Sequence, residues 1–403
     1  MNSPLPRHAI VLMACCCSLV LASCAVPKVA PERTTPVSFE VALDQAVDDL
    51  ISQTQRLPAF MATVESKMQL GAIVVDPLLD STTGQQNALT RRAEKHVVQR
   101  VSARFKQFEI VILTSGDLPR ASYLLTGVLS PIGVAVAERG YYRLSLSLTE
   151  VKSGIIVAQA GARIHEDNLD TSPTPFFRDS PVLAKDRVFE GYVRTAESKT
   201  GTPADPVYLE RLNVSALLAD ASKAYDEERI QEAMALYATA AKRPGGQQMK
   251  VFAGLYLTQW RLGRRDDAEN AFGMVVRLGL ATNSLSVKFL FKPGSTDFIH
   301  DMRISEPYPM WLRQIARQTA EAGQCVNVIG HTSRTGTEQY NERLSLLRAA
   351  TVKSKLEIEV PASATRLRQT GMGFRENIVG SGTDDLRDAL DRRVEFRGIR
   401  CEN

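Results

Sequence analysis

Residues 326–351 constrain the fold more than any other stretch of this chain. Val326, Val328 and Ile329 form a short apolar run that stops at Gly330. A polar turn with a second glycine, Gly336, follows, and apolar residues then return at helical spacing. Tyr340, Leu344, Leu347 and Thr351 recur at i, i+4, i+7 and i+11, which predicts the core-facing stripe of a helix. Asn341, Ser345 and Arg348 share the adjoining face. A strand, a glycine turn and a helix with three polar groups beside that turn together make a ligand site.

Composition narrows what the rest can be. At 403 residues the chain is long enough for about two or three domains. With 44% hydrophobic and 23% charged residues it is globular in character. Its 49 basic and 45 acidic residues are too balanced to argue for nucleic acid, and 6% aromatics offer no stacking platform. The five histidines show no metal-ligand spacing with one another or with cysteine. Gly294-Ser295-Thr296 lacks the lysine and upstream glycine of a phosphate loop. No nucleophile–base set stands out, so the expectation is a binding protein without cofactor or metal, not an enzyme.

The first residues read as a secretion signal. Arg7 and His8 precede an apolar and small run over 9–22, too short for the roughly 20 residues a membrane span needs. Leu21-Ala22-Ser23-Cys24 resembles the lipobox of bacterial lipoproteins. That resemblance implies loss of residues 1–23 and lipidation of Cys24. Ala25, where an aspartate would mark inner-membrane retention, implies anchoring to the outer membrane on its periplasmic face. A plain signal peptide cleaved nearby, or an uncleaved anchor, is the alternative. Cys15, Cys16 and Cys17 would leave with the signal, so Cys325 and Cys401 remain as one pair in an oxidising compartment.

Downstream, 24–37 is rich in proline, threonine and charge and reads as a flexible tether. Over 38–166, helix, strand, helix, strand, strand and hairpin predict an α/β sandwich. Leu144, Leu146 and Leu148 should face inward, and Arg143, Ser145 and Ser147 outward. The strand Ala121-Ser122-Tyr123-Leu124-Leu125-Thr126-Gly127, followed by a Tyr142-x-Leu144-x-Leu146-x-Leu148-Thr149-Glu150 strand, resembles the CsgG/LpoB/FlgO group of periplasmic lipoprotein domains. Members of that group bind other proteins or assemble secretion pores. Residues 167–207 lack periodicity and read as a linker in which Phe176-Phe177 and Val188-Phe189 dock locally. Over 208–282, Tyr225, Ala233 and Tyr237 recur about 35 residues on as Trp260, Ala268 and Phe272. This central helical repeat pair is similar to tetratricopeptide repeats. Two repeats fall below the three usually needed for independent stability, so it should pack on a neighbour.

In 284–403, strands expected at 286–291, 325–330, 366–373 and 393–399 alternate with helices at 310–322 and 338–356, and a polar loop and helix at 380–389. An α/β sandwich with a mixed sheet follows. Gly330-His331-Thr332-Ser333, Gly336, Asn341, Leu344-Ser345 and Arg348-Ala349 resemble the GHTD-x-x-G…N-x-x-L-S-x-x-R-A signature of OmpA-like peptidoglycan-binding domains. In that family the last strand lies antiparallel beside the second, which implies a Cys325–Cys401 disulfide. The family's ligand is the peptidoglycan stem peptide with its diaminopimelate, a zwitterion that calls for an acid to meet the ammonium and an arginine to clasp the carboxylate.

Arg348 stands at the arginine position, with Thr332 and Asn341 beside it, but Ser333 replaces the acid. Losing one charge-assisted contact costs about 1–3 kcal/mol, or roughly tenfold to hundredfold in affinity. Lys292 also stands where many members carry an acid. Either a carboxylate from Asp384, Asp385 or Asp388 replaces the missing one, or the module grips the wall weakly or takes a more anionic group. Arg348 could instead pair with Asp391 or Glu395.

The multidomain α/β chain so read is an outer-membrane lipoprotein that binds peptidoglycan and positions an envelope assembly, with its first two domains engaging envelope proteins. The alternatives are a secretion-apparatus component whose CsgG-like domain oligomerises, or an activator of a cell-wall synthase by analogy with LpoB.

Overall fold

The computed structural model describes residues 33–55, 72–133, 140–378, 382 and 390–401. The expected signal segment, Cys24 and the acidic 384–388 stretch lie outside them. Among the described residues no helix is long and apolar enough to cross a membrane.

The N-terminal unit is an α/β sandwich. β1 (Arg33–Val37) leads into α1 (Phe39–Thr54), β2 (Ala72–Val75), β3 (Leu79–Asp80), α2 (Ala88–Arg104), β4 (Ile110–Ile112), β5 (Ala121–Pro131), β6 (Tyr141–Glu150) and β7 (Ile155–His165). The sheet runs β1-β7-β6-β5-β2-β4, with β3 also on β5. The end of the expected tether is thus a strand: β1 pairs parallel to β7 and covers a backbone edge that would otherwise stand open. On one face α1 and α2 pack through Phe39, Leu43, Ala46, Leu50, Ala93 and Val97 against Leu144, Leu146 and Leu148. An Asn87–Thr90 capping box starts α2, each residue's side chain bonding the other's backbone N–H.

The opposite face corrects the sequence reading. Ser145 and Ser147, expected to face solvent, are buried, because residues 167–207 are not a loose linker. They form α3 (Pro175–Asp179), α4 (Arg187–Glu197) and, at their end, α5 (Pro206–Glu210). Ser147 Oγ donates to the Thr195 carbonyl at 2.9 Å, and the Tyr192 hydroxyl accepts from the Gly127 N–H at 3.0 Å. α3 and α5, five residues each, are too short to repeat a pattern, whereas α4 buries Gly191, Tyr192, Thr195 and Ala196 at helical spacing.

Four helices follow: α6 (Leu212–Asp226), α7 (Ile230–Lys242), α8 (Met249–Arg261) and α9 (Arg265–Ala281). The repeated small and aromatic positions Ala233, Tyr237, Ala268 and Phe272 are fully buried between them. Gly254 permits the closest approach, since a Cβ there would stand 2.3 Å from the Tyr237 ring.

The C-terminal unit contains β8 (Leu285–Val287), α10 (Met302–Ser305), α11 (Tyr308–Ala322), β9 (Cys325–Gly330), α12 (Glu338–Glu359), β10 (Leu367–Gly371) and β11 (Val394–Ile399). The sheet order is β10-β9-β11-β8. β10 is parallel to β9, and β11 is antiparallel to both β9 and β8, so the sheet is mixed. β8 is shorter than the 286–291 strand expected, because Phe289 and Phe291 leave the ladder to fill the core. Its outer edge is met by the earlier segment: Val182 bridges Val287, Leu183 N–H donates to the Ser286 carbonyl, and Lys288 N–H donates to that of Pro181. Opposite β9, Ile399 pairs with Cys325, and Cys325 and Cys401 are disulfide-bonded with Cα atoms 5.2 Å apart. Closing a loop with a sequence separation of 76 is worth about 4–5 kcal/mol by the chain-entropy relation.

Helices α6–α9 and the C-terminal unit share one hydrophobic core. Trp311 stacks on Phe272 with ring centroids 5.5 Å apart and donates through Nε1 to the Tyr256 hydroxyl at 3.0 Å. Arg313 grips Glu269 through two bonds of 2.9 and 2.6 Å.

Where the N-terminal unit meets the helices, acids are buried. Glu94 accepts from Leu78 N–H and Gln86 Nε2, and Asp76 accepts from the Tyr208 hydroxyl. Burial pushes Glu94 up to about 7 and Asp76 up to about 6. A carboxyl raised in the folded state favours folding only when protonated, so its contribution grows as pH falls through the folded value and is lost as pH rises past it. Glu94→Gln should therefore gain about 2–3 kcal/mol relative to wild type between pH 5 and pH 8. Urea denaturation at the two pH values checks this, and an unchanged difference would refute it.

Candidate functional site

Helix α12 sits rotated from the expected stripe. Tyr340 is 51% and Leu347 46% exposed, whereas Asn341, Leu344, Ser345, Arg348, Ala349, Val352 and Leu356 are buried. The polar face is the inward one. The cause lies under the helix, where Gly330 and Gly371 pair directly across β9 and β10. A Cβ on Gly330 would stand 2.1 Å from the Ser345 carbonyl oxygen, and one on Gly371 2.6 Å from the Glu342 carbonyl oxygen and Leu346 nitrogen. The helix backbone therefore rests on the strand ends, where there is no room for Tyr340 or Leu347.

That seating lets polar side chains tie the turn. Ser345 Oγ donates to the Glu342 carbonyl and accepts from Gly373 N–H, both at 2.8 Å. Asn341 Nδ2 donates to the carbonyls of Thr335 at 2.9 Å and Thr337 at 3.0 Å. Thr337 caps the helix, its hydroxyl accepting from Tyr340 N–H. His331, Thr332 and Ser333 are buried in the approach to this turn. His331 N–H donates to the Arg393 carbonyl and Thr332 N–H to that of Gly373.

Arg348 is 2% exposed. Its Nε donates to the Ser295 carbonyl at 3.0 Å and its Nη2 to the Lys292 carbonyl at 3.2 Å. The guanidinium lies 4.9 Å from the centre of the Phe291 ring. Lys292 thus contributes its backbone to the site, while its ammonium stands 4.0 Å from Asp297. Of the four expected binding residues, Asn341 and Arg348 share the buried face of α12, and Thr332 and Ser333 lie in the turn before it. Glu395, considered as a partner for Arg348, is held instead by Arg393 at 2.7 Å and Arg397 at 2.6 Å. The candidate replacement acids Asp384, Asp385 and Asp388 fall outside the described residues.

One charged network escaped the sequence reading. Arg393, Glu395 and Arg397 lie on one face of the segment ending in β11, and Glu376 joins Arg397 at 2.7 Å. His331 Nε2 stands 3.7 Å from Glu395 Oε1. Burial raises Glu395, but His331 and Arg393 outweigh it and hold the carboxyl well below the ordinary range. Burial likewise pushes the His331 imidazole down. Donor atoms of His331, Glu376 and Glu395 lie within 4.8 Å of one another, and both carboxylates are already paired with Arg393 or Arg397. The alternation Arg393-x-Glu395-x-Arg397 was the available signal.

The rotated helix predicts an inverted ranking of substitutions. Asn341→Ala, which strands two turn carbonyls, should cost about 2 kcal/mol. Leu347→Ser should cost less than about 0.5 kcal/mol. Chemical denaturation of both variants checks this, and the opposite order would restore the stripe read from sequence.

Comparison with known proteins agrees on this region. Residues 290–389 match the model of the OmpA family. Outer membrane protein Omp38 of Acinetobacter baumannii is 36% identical over 92 residues, 23% of this chain and 26% of that protein. The chain thus spans about a quarter of the length of the curated relatives it matches. Among solved structures, the peptidoglycan-associated lipoprotein from Burkholderia pseudomallei is 23% identical, covering 28% of this chain and 89% of that one, with a TM-score of 0.24. The cell wall anchor of the T6SS from Pseudomonas aeruginosa is 26% identical, covering 29% and 80%, with a TM-score of 0.24. The C-terminal domain of this chain is OmpA-like.

Proposed function

We propose that this chain is a lipid-anchored outer-membrane protein that binds peptidoglycan non-covalently through its OmpA-like domain and holds an envelope assembly against the wall. The observation that carries the reading is the match of 290–389 to the OmpA family, with Arg348 oriented by two carbonyls at the family's arginine position. The stem-peptide carboxylate is the partner for that guanidinium. Because Arg348 is 2% exposed, the ligand reaches it only if the residues packed around it move. Ser333, in place of the family's acid, offers the ammonium a hydroxyl, so the grip is weaker than with a full pair of charges. The chemistry is recognition rather than catalysis.

The remaining modules fit the same role. The Leu21–Cys24 lipobox supports a lipid on Cys24 and anchoring at the periplasmic face of the outer membrane. The helix pairs, read as tetratricopeptide-like, and the N-terminal sandwich, read as CsgG/LpoB-like, supply the surfaces for envelope proteins.

Sedimentation with purified peptidoglycan tests the wall contact. Wild type should co-sediment, and Arg348→Ala should lose about tenfold or more in affinity while keeping its circular dichroism spectrum. Equal retention of a folded Arg348→Ala chain would remove Arg348 from the site, and failure of wild type to sediment would remove the function. For the anchor, wild type should incorporate labelled palmitate in a bacterial host, and Cys24→Ser should not; label on the serine variant would refute the assignment.

A further inference from the structure

We propose that the cleft where the N-terminal unit, the 183–185 segment and the C-terminal sheet meet binds a small ligand through its carboxylate. The cleft has a volume of about 530 Å³ and draws its walls from Thr82, Lys185, Ser286, Glu376, Arg393 and Arg397, among others. This is the size range of a small-molecule site. Its residues come from the N-terminal unit, the 183–185 segment and the C-terminal unit, so the OmpA-like domain alone does not build it.

Three donors point to the ligand's chemistry. Arg393 is 3% exposed, yet its buried Nη1 has no hydrogen-bond partner. Ser286 Oγ, from β8, is likewise buried without one. Lys185 has no hydrogen-bond or ion-pair partner among the described residues. Buried donors are normally satisfied, and a shared oxyanion would satisfy all three.

Charge selects the class of anion. Lys185, Arg393 and Arg397 line the cleft with Glu376 and Glu395, and the Asp80 carboxyl also acts on Lys185, so the cleft carries little net charge. A single carboxylate adds one negative charge to these surroundings, whereas a phosphate dianion would add two beside two glutamates. Burial and the neighbouring Arg393 push the Lys185 ammonium down from its ordinary value, against the opposing pull of Asp80 and Glu395. The carboxyls of Glu395 and Glu376 are held by arginines, so they shape the wall rather than receive a cation.

Isothermal titration of the purified full chain decides the matter, using N-acetylalanine as the carboxylate probe, its amide as the neutral control and inorganic phosphate as the rival anion. Wild type should bind N-acetylalanine saturably, bind phosphate more weakly and ignore the amide. Lys185→Gln and Ser286→Ala should each weaken N-acetylalanine binding, the lysine variant by about tenfold, with unchanged circular dichroism. Arg348→Ala should leave it intact, so failure here and failure of the wall-binding site are distinguishable. No saturable binding by wild type, equal binding of the amide, tighter binding of phosphate, or loss in Arg348→Ala but not in folded Lys185→Gln would each overturn the proposal.

Discussion

The contact on which the C-terminal unit depends is the direct seating of α12 on Gly330 and Gly371. Both positions lack a Cβ where one would collide with helix backbone, and they face each other across paired strands. This closeness fixes the rotation of the helix. It turns Asn341, Ser345 and Arg348 inward and Tyr340 and Leu347 outward. The turn is then held by Asn341, the β10 exit by Ser345, and the 292–295 loop by Arg348. A buried polar face is costly unless each group finds a partner, and here backbone groups from three loops answer it.

The second constraint is continuity of the core. Helices α6–α9 are covered at one end by α11 through Trp311, Phe272 and Tyr256. Arg313 and Glu269 brace the rim of the same contact. On the other side, α4 and α5 cover the second face of the N-terminal sheet through Tyr192, Ala196 and Tyr208. The units are therefore joined by packed side chains as well as by sequence.

Much of this was legible in the sequence because it rests on local periodicity. The Leu144-Leu146-Leu148 alternation, the paired Ala233–Tyr237 and Ala268–Phe272 positions, and the mixed C-terminal sheet each depend on spacing or a motif. What was not legible depends on partners far along the chain. Ser145 and Ser147 look solvent-facing until α4 covers them. The stripe Tyr340–Leu347 looks like core because apolar residues usually are, and only the missing Cβ atoms of Gly330 and Gly371 reverse it. Phe289 and Phe291 look like strand residues, although their rings serve the core better than the ladder does. At the site, residue type and spacing found Asn341 and Arg348, but could not foresee that carbonyls of Lys292 and Ser295 would aim the arginine.

The short bridge between Val182 and Val287 changes what counts as a module here. Boundaries drawn from sequence similarity begin the C-terminal domain near residue 290, yet the edge of its sheet is finished by residues about a hundred positions earlier. Recombination that cut at the similarity boundary would deliver a domain with an unpaired edge strand and an uncovered Trp311, both invitations to self-association. The folded unit is therefore larger than the recognisable one, because residues 181–183 complete the edge of a sheet they do not resemble.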